Sequence, residues 1–219
     1  MSWTEINFGE EVSPLLVLGV ILANYLLGCF TTGYYLVRAR TGQDIRRMGS
    51  GSTGARNVGR TLGSAGFILT MCGDLAKGGL AVWATIALTG NDRLALLAWL
   101  AVVVGHIWPV QLGLHGGKGV ATSLAGLLVY DARLAGIFCL VFGITMAVTR
   151  RSVASSLLAY LILPAASAWL GRDHARIWGI SVLAGLVLIA HYRNIAEGIH
   201  DLWPRRSVAS EPEESVKEL

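Results

Sequence analysis

Apolar residues run through this chain in long blocks separated by short polar stretches. The blocks cover roughly residues 14–37, 62–88, 94–112, 120–130, 134–148, 153–170 and 177–190, and Asp74 and Lys77 interrupt the second. A helix needs about 20 apolar residues to cross the ~30 Å of hydrocarbon in a bilayer. The pattern therefore predicts an all-α, polytopic membrane helix bundle of about seven spans. The fourth block has 11 residues, about 17 Å of helix at 1.5 Å per residue. It is expected to be short, borrowing the GGKG turn before it, or to be a re-entrant half-span.

Composition agrees with a membrane protein. Of 219 residues, 53% are hydrophobic and 15% charged, against about 25% charged in soluble domains. The mean hydropathy is +0.56. A soluble globular domain, a disordered chain and a disulfide scaffold are all disfavoured. Cys29, Cys72 and Cys139 lie singly inside apolar blocks, without the spacing of a zinc site or a disulfide framework. The net charge of +4 does not point to nucleic acid, because the basic residues lie between spans and not on one soluble face. The polar stretches after the first, third, fifth and seventh blocks hold thirteen Lys and Arg residues, whereas the alternate ones hold four. By the positive-inside rule the rich side is cytoplasmic, with the N-terminus outside and the C-terminus inside. Residues 1–203 read as a single integral membrane domain. Residues 204–219, which include SEPEE, read as a disordered polar cytoplasmic tail.

Three motif-dense segments fall on that basic side. In DIRRMGSGSTGARNVGRTLG, Asp44 to Gly63, glycines at 49, 51 and 54 are expected to reach φ > 0 and expose backbone N–H groups ahead of a helix, an arrangement that suits an anion. Ser50, Ser52 and Thr53 add hydroxyls, and Arg56 and Arg60 share one helix face. The alternative is a flexible basic loop touching anionic lipid heads. The Walker A spacing is absent, so ATP is not indicated. In GHIWPVQLGLHGGKGVAT, Gly105 to Thr122, Lys118 sits in a glycine-rich turn that opens a helix, either as a phosphate site or as a lysine snorkelling to the surface. His106 reads better as a packed helix-end histidine than as a catalyst. In HYRNIAEG, His191 and Asn194 share a helix face, which alone is ordinary. Asp74 and Lys77 read as a buried ion pair fixing the bundle, or as a substrate contact.

Taken together, DIR--GSG--GA-N--R, the D--KG at Asp74–Gly78, GHI-PV----GGKGVAT and the terminal H--N resemble the bacterial acyl-phosphate:glycerol-3-phosphate acyltransferase family (PlsY type), in order and spacing, from about residue 14 to 198. The resemblance implies an integral membrane enzyme of the bacterial cell (inner) membrane, with its active site at the cytoplasmic face. Such an enzyme moves a fatty acyl group from acyl phosphate to the sn-1 hydroxyl of glycerol 3-phosphate, giving lysophosphatidic acid and phosphate, the first step of phospholipid synthesis. Its partners would be those two substrates and the lipid bilayer. It implies Ser50, Arg60, Lys118, His191 and Asn194 as phosphate-binding residues, with His191, Lys118 and Arg60 closest to the chemistry. Gly51, Gly54, Asn57, Gly116, Gly117 and Gly119 complete the binding loops. Ser156, or its neighbours Ser155 and Ser152, would match a family serine. This chain departs from the pattern at Ser52, Arg56 and His115, and Glu197 is not matched.

An acyl phosphate is already activated, so no Ser-His-Asp nucleophile is required, and none of the G-x-S-x-G type is present. Positioning and charge stabilisation could supply most of the acceleration. Neither a cofactor nor a metal is expected, since the carboxylate cluster of a hard-cation site is missing. Two alternatives are a membrane transporter of an organic phosphate, and an acyltransferase whose acceptor has changed with Ser52 and Arg56.

Overall fold

The computed structural model describes residues 12–192. Within them the helices are α1 Pro14–Cys29, α2 Thr32–Thr41, α3 Ala55–Thr89, α4 Asp92–Ile107, α5 Val120–Tyr130, α6 Ala132–Thr149, α7 Ser152–Trp169 and α8 His174–Ala190. Two 3-10 turns cover Ile45–Arg47 and Val110–Leu112, and no strand occurs among the described residues. Segments Pro14–Thr41, Ala55–Thr89, Asp92–Leu112, Ala132–Thr149 and Ser152–Trp169 are long and apolar enough to cross a membrane, while α5 and α8 are shorter apolar helices. Much of the outer surface is apolar: Leu88 is 85% exposed, Val148 80% and Trp178 71%. A surface of that kind needs hydrocarbon around it, not water.

Turn residues sort into two ends of the bundle. At one end the polar loop after α2 meets the loop after α4, where Thr53 donates its backbone N–H to Gly116 O at 3.3 Å. At the other end Arg172, between α7 and α8, pairs with Asp131, between α5 and α6, at 2.8 Å. There too Arg176 pairs with Asp92 and lies over the Tyr130 ring. Helix α5 therefore runs from one end to the other and is not re-entrant. Its 11 residues suffice because the chain ahead of it dips inward. After the Val110–Leu112 turn, Gly116 N donates to Ile107 O at 3.1 Å and Gly117 N to His106 O at 3.0 Å. The glycine turn thus lies alongside the last residues of α4, recessed below the end of the bundle.

The first apolar block is one pass, but it is broken between α1 and α2 at Phe30 and Thr31. The break leaves carbonyls of α1 without helical partners. Lys77 of α3 answers them, donating to Gly28 O at 3.3 Å and Phe30 O at 2.9 Å. Its Nζ also lies 3.0 Å from Asp74 Oδ1, and both side chains are buried. The Asp74–Lys77 pair is therefore the bundle-fixing pair of the two readings above. The second block also differs from expectation. Helix α3 starts seven residues before the apolar block, at Ala55, and bends sharply at Gly63, whose φ is 70° and ψ −164°. Residues 55–62 belong to the loop end, and the apolar remainder crosses the bundle.

The core is built on large side chains from the later helices. Trp99, Leu134, Tyr160, Leu163 and Leu183 are fully enclosed. Trp99 Nε1 donates to Ser123 O at 3.1 Å, as a buried indole N–H requires. Helix α1 closes on α4 through small residues: a β-carbon on Gly28 would collide with the Val102 carbonyl, and one on Gly105 with the Tyr25 carbonyl. Such backbone approach is how helices associate where lipid removes the hydrophobic drive between them.

Candidate active site

Two glycine-headed helices begin side by side at the loop end. Five other helical segments have side-chain N-caps: Ser13, Asp44, Asn91, Asp131 and Asp173 each accept from the first-turn backbone. The N-caps of α3 and α5 are Gly54 and Gly119, which have no side chain to accept with, and α2 and α7 also start without a side-chain cap bond. A helix start without such a cap leaves N–H donors and the positive end of the helix dipole to a ligand. The Thr53–Gly116 bond holds the α3 and α5 starts together. The pairing is what an anionic substrate would need.

The first loop is organised from inside by Asn57. This buried side chain accepts from Ser50 N at 3.1 Å and donates to Ile45 O, Met48 O and Ser52 O at 3.3, 2.9 and 2.9 Å. Its amide is engaged by the loop itself. Gly49 and Gly51 have φ of 53° and 69°, as expected, but Gly54 has φ −75° and serves as the extended N-cap of α3. Ser52 Oγ accepts from Gly54 N at 3.2 Å and so shapes the approach to the helix. Arg60 brings its guanidinium next to Gly49: a β-carbon there would lie 3.5 Å from Arg60 Nη1. Ser50 and Arg60 are thus neighbours across Asn57, and both are exposed, as is Arg56.

The second loop sets Lys118 between Gly117 and Gly119, with Gly119 in the left-handed region at φ 81°. His191 caps α8 and is 3% exposed. Its Nδ1 donates to Val187 O at 2.8 Å, which fixes the neutral tautomer with Nε2 as the acceptor. Burial pushes the His191 pKa down, the bond to Val187 O opposes this, and the nearby Lys118 charge lowers it further. The structure therefore brings Ser50 next to Arg60 and sets Lys118 in the turn that the Thr53–Gly116 bond ties to that first loop, while His191 ends α8 with its ring held by Val187 O.

Ser156 is buried on α7 and donates to Val153 O at 2.8 Å; Ser155 donates to Arg151 O at 3.0 Å. Ser156 lies one turn before Tyr160 on the same helix face. Tyr160 bonds Val120 O at the start of α5, at 3.1 Å. That face of α7 is thereby turned toward the glycine turn. Asn194 lies outside the described residues. His115 is exposed, with Nδ1 against Gly113 O at 2.5 Å.

One site-building residue was not singled out from the sequence. Arg46 bridges the two loops: it pairs with Asp44 at 2.7 Å, lies over the Tyr34 ring and donates to Leu112 O. Hydrogen bonds from Arg46 hold the Asp44 carboxyl below its usual range, against a smaller opposing effect of burial. The signal available was the Asp-x-Arg spacing ahead of the glycines, which several neighbouring arginines obscure.

A helical bundle with an apolar exterior and two adjoining glycine-headed helix starts at one end defines an integral membrane protein with an end that suits an anion. The family description "glycerol-3-phosphate acyltransferase" matches residues 18–201. A protein of that name from Desulfitobacterium hafniense (strain Y51) is 44% identical over 200 residues, 91% of this chain and 99% of that protein. Another from Syntrophomonas wolfei is 39% identical over 171 residues, 78% of this chain and 87% of that protein. The crystal structure of PlsY (YgiH), an integral membrane glycerol 3-phosphate acyltransferase, in its glycerol 3-phosphate form superposes with a TM-score of 0.78 at 29% identity. It covers 84% of this chain and 92% of that one. This chain belongs to the glycerol-3-phosphate acyltransferase family.

Proposed function

We propose that this protein transfers a fatty acyl group from acyl phosphate to the sn-1 hydroxyl of glycerol 3-phosphate, releasing lysophosphatidic acid and inorganic phosphate. The observation that carries this reading is the pairing of two helix starts headed by Gly54 and Gly119, tied together by the Thr53–Gly116 bond, with Lys118 in the second turn. Both substrates are anionic, so bringing them together needs several cationic and N–H donors in one place. Arg60, Lys118, Ser50 and the backbone of Gly51, Gly116, Gly117 and Gly119 provide them, and Asn57 holds the first loop in shape. Asn194 is assigned to the same phosphate set by its place in the motif. Ser156 is assigned to the wall formed by α7. The acyl chain lies along the apolar exterior of the bundle, open to lipid.

In the reaction, the acceptor oxygen forms a bond to the acyl carbon as the bond from that carbon to the phosphate oxygen breaks. The electron pair leaves with phosphate, which Arg60 and Lys118 hold. The hydroxyl proton passes to His191 Nε2, the nitrogen that the Val187 bond leaves as acceptor. The developing charge is met by donors already in place, which act most strongly where water is excluded.

The loop end carries most of the Lys and Arg residues, which supports a cytoplasmic site, an external N-terminus and an internal C-terminus in the bacterial cell membrane. The residues from 204 onward are read as a polar tail following a single membrane domain. The test is turnover by purified protein with glycerol 3-phosphate and either synthetic acyl phosphate or acyl-CoA. Product is expected from acyl phosphate; product from acyl-CoA alone would overturn the proposed donor.

A further inference from the structure

We propose that His106 is a positioning residue for the phosphate-binding turn, with the buried Asp74–Lys77 pair packed behind its ring. The inference rests on the site assignment above and adds a layer beneath it. His106 ends α4 and is 3% exposed. Its carbonyl accepts from Gly117 N at 3.0 Å, and the Ile107 carbonyl accepts from Gly116 N at 3.1 Å. The imidazole sits directly under Gly117: a β-carbon there would overlap His106 Nε2 and come within 2.6 Å of Cε1. Backbone and ring of one residue thus fix both the height and the tilt of the turn that presents Lys118.

A buried ion pair lies behind the ring. His106 Nδ1 faces Asp74 Oδ1 at 3.5 Å. The same oxygen lies 3.0 Å from Lys77 Nζ, and Lys77 donates onward to Gly28 O and Phe30 O at the break between α1 and α2. Four elements are therefore joined through three buried ionisable side chains: the α1–α2 break, α3, α4 and the turn before α5. A buried charge removed from its partner is costly, so such a set holds one geometry. An apolar contact at the same place would leave the turn free to slide. Catalysis is sensitive to that, since a misplacement of about 1 Å can cost about a hundredfold.

A purely structural role would lower the folded fraction or affect both substrates alike. A positioning role acts on whichever substrate phosphate rests in the turn. The experiment measures KM separately for synthetic fatty acyl phosphate and for glycerol 3-phosphate, in folded, monodisperse protein. In His106→Ala, one KM is expected to rise about tenfold or more while the other changes by less than about threefold. Asp74→Asn is expected to raise the same KM. His106→Asn keeps a polar side chain between Gly117 and Asp74 and should restore much of it. Gly117→Ala should be nearly inactive, and adding His106→Ala to it should recover at least part of the loss, because the ring that the new methyl meets is gone. Should His106→Ala not fold, His106→Asn against Asp74→Asn reads the same split. Unchanged KM values, or both rising together, would overturn the positioning role. If the unaltered protein itself turns over no acyl phosphate, the site assignment fails, and this inference fails with it.

Discussion

Thr53 donates its backbone N–H to the Gly116 carbonyl at 3.3 Å, joining two loops that α3 and α4 separate along the chain. The helix starts that follow each loop are held to a common point by this bond. Arg46 reinforces it from the side, through Asp44, Tyr34 and Leu112 O.

Removing that reinforcement should loosen both loops at once. Arg46→Ala is expected to speed amide hydrogen exchange across residues 45–52 and 110–117 while leaving the cores of α4 and α7 protected. The Asp44–Arg46 pair is only partly exposed, at 18% and 26% for the two side chains, so the global stability loss should be on the order of 1 kcal/mol. Exchange that rises in only one of the two loops would count against the bridge.

Lys118→Ala should lower turnover with acyl phosphate by about 100- to 1000-fold, the usual loss when one charge-stabilising donor is removed. Lys118→Arg should recover only part, because a planar fork replaces a point charge in a tight glycine turn. Near-normal turnover in Lys118→Ala would remove this residue from the chemistry.

Asn57 distinguishes loop architecture from substrate contact. Asn57→Asp replaces an amide that donates to three carbonyls with a group that cannot donate when ionised. The loss is on the order of 2 kcal/mol or more, read as a fall of about 4–8 °C in the unfolding midpoint in detergent. A variant with unchanged midpoint and a large defect in substrate binding would show that the amide acts on the ligand instead.

His191 predicts a pH dependence with a definite sign. Burial lowers its pKa below the ordinary value of 6.5. The neutral, proton-accepting form therefore persists below that value, and kcat/KM should stay flat through pH 6.5 and decline only at lower pH. Stability follows the same direction. The unfolded chain takes up the proton first, so stability is lost as pH falls through about 6.5 toward the folded pKa. His191→Gln should cut the rate by about 100-fold or more and abolish the enzyme's share of the acid limb. An identical acid limb in that variant would assign it to the substrates.

Two glycines offer a paired test of the packing. Gly105→Ala puts a methyl against the Tyr25 carbonyl and Cys29 N, while a β-carbon at Gly136 meets nothing within 4 Å. The first should destabilise by about 1–3 kcal/mol, as overpacking does. The second should be neutral or stabilising by up to about 1 kcal/mol through helix propensity. Comparable midpoints for the two variants would contradict the close approach of α1 and α4.

The apolar blocks made the spans legible, because hydrocarbon imposes length and composition on each helix separately. The two glycine loops were legible for the same local reason: Gly51, Gly116 and Lys118 stand next to helix starts. What stayed hidden depends on partners distant in sequence. Nothing near Phe30 signals a break, since the group that satisfies its carbonyl is Lys77 on another helix. The passage of α5 from end to end follows from the turn tucked against His106 and Ile107, not from its own 11 residues. Asn57 reads as a binding residue from its motif, and only the folded loop shows its NH2 group donating to carbonyls within the chain. Gly54 lies next to two glycines of positive φ yet is itself extended, because the helix start, not the loop, sets its conformation.

The partnership of Lys77 with the interrupted first pass also bears on how the protein enters its membrane. Alone in a bilayer, the Pro14–Thr41 segment would present unmatched carbonyls at Gly28 and Phe30, and a lone α3 would bring in the Asp74–Lys77 pair with its ammonium short of those carbonyl partners. Each segment is a poor passenger by itself and a good one beside the other. Insertion of this polypeptide is thus favoured as a hairpin of its first two crossings, released sideways together, with the later helices added to a seam already closed.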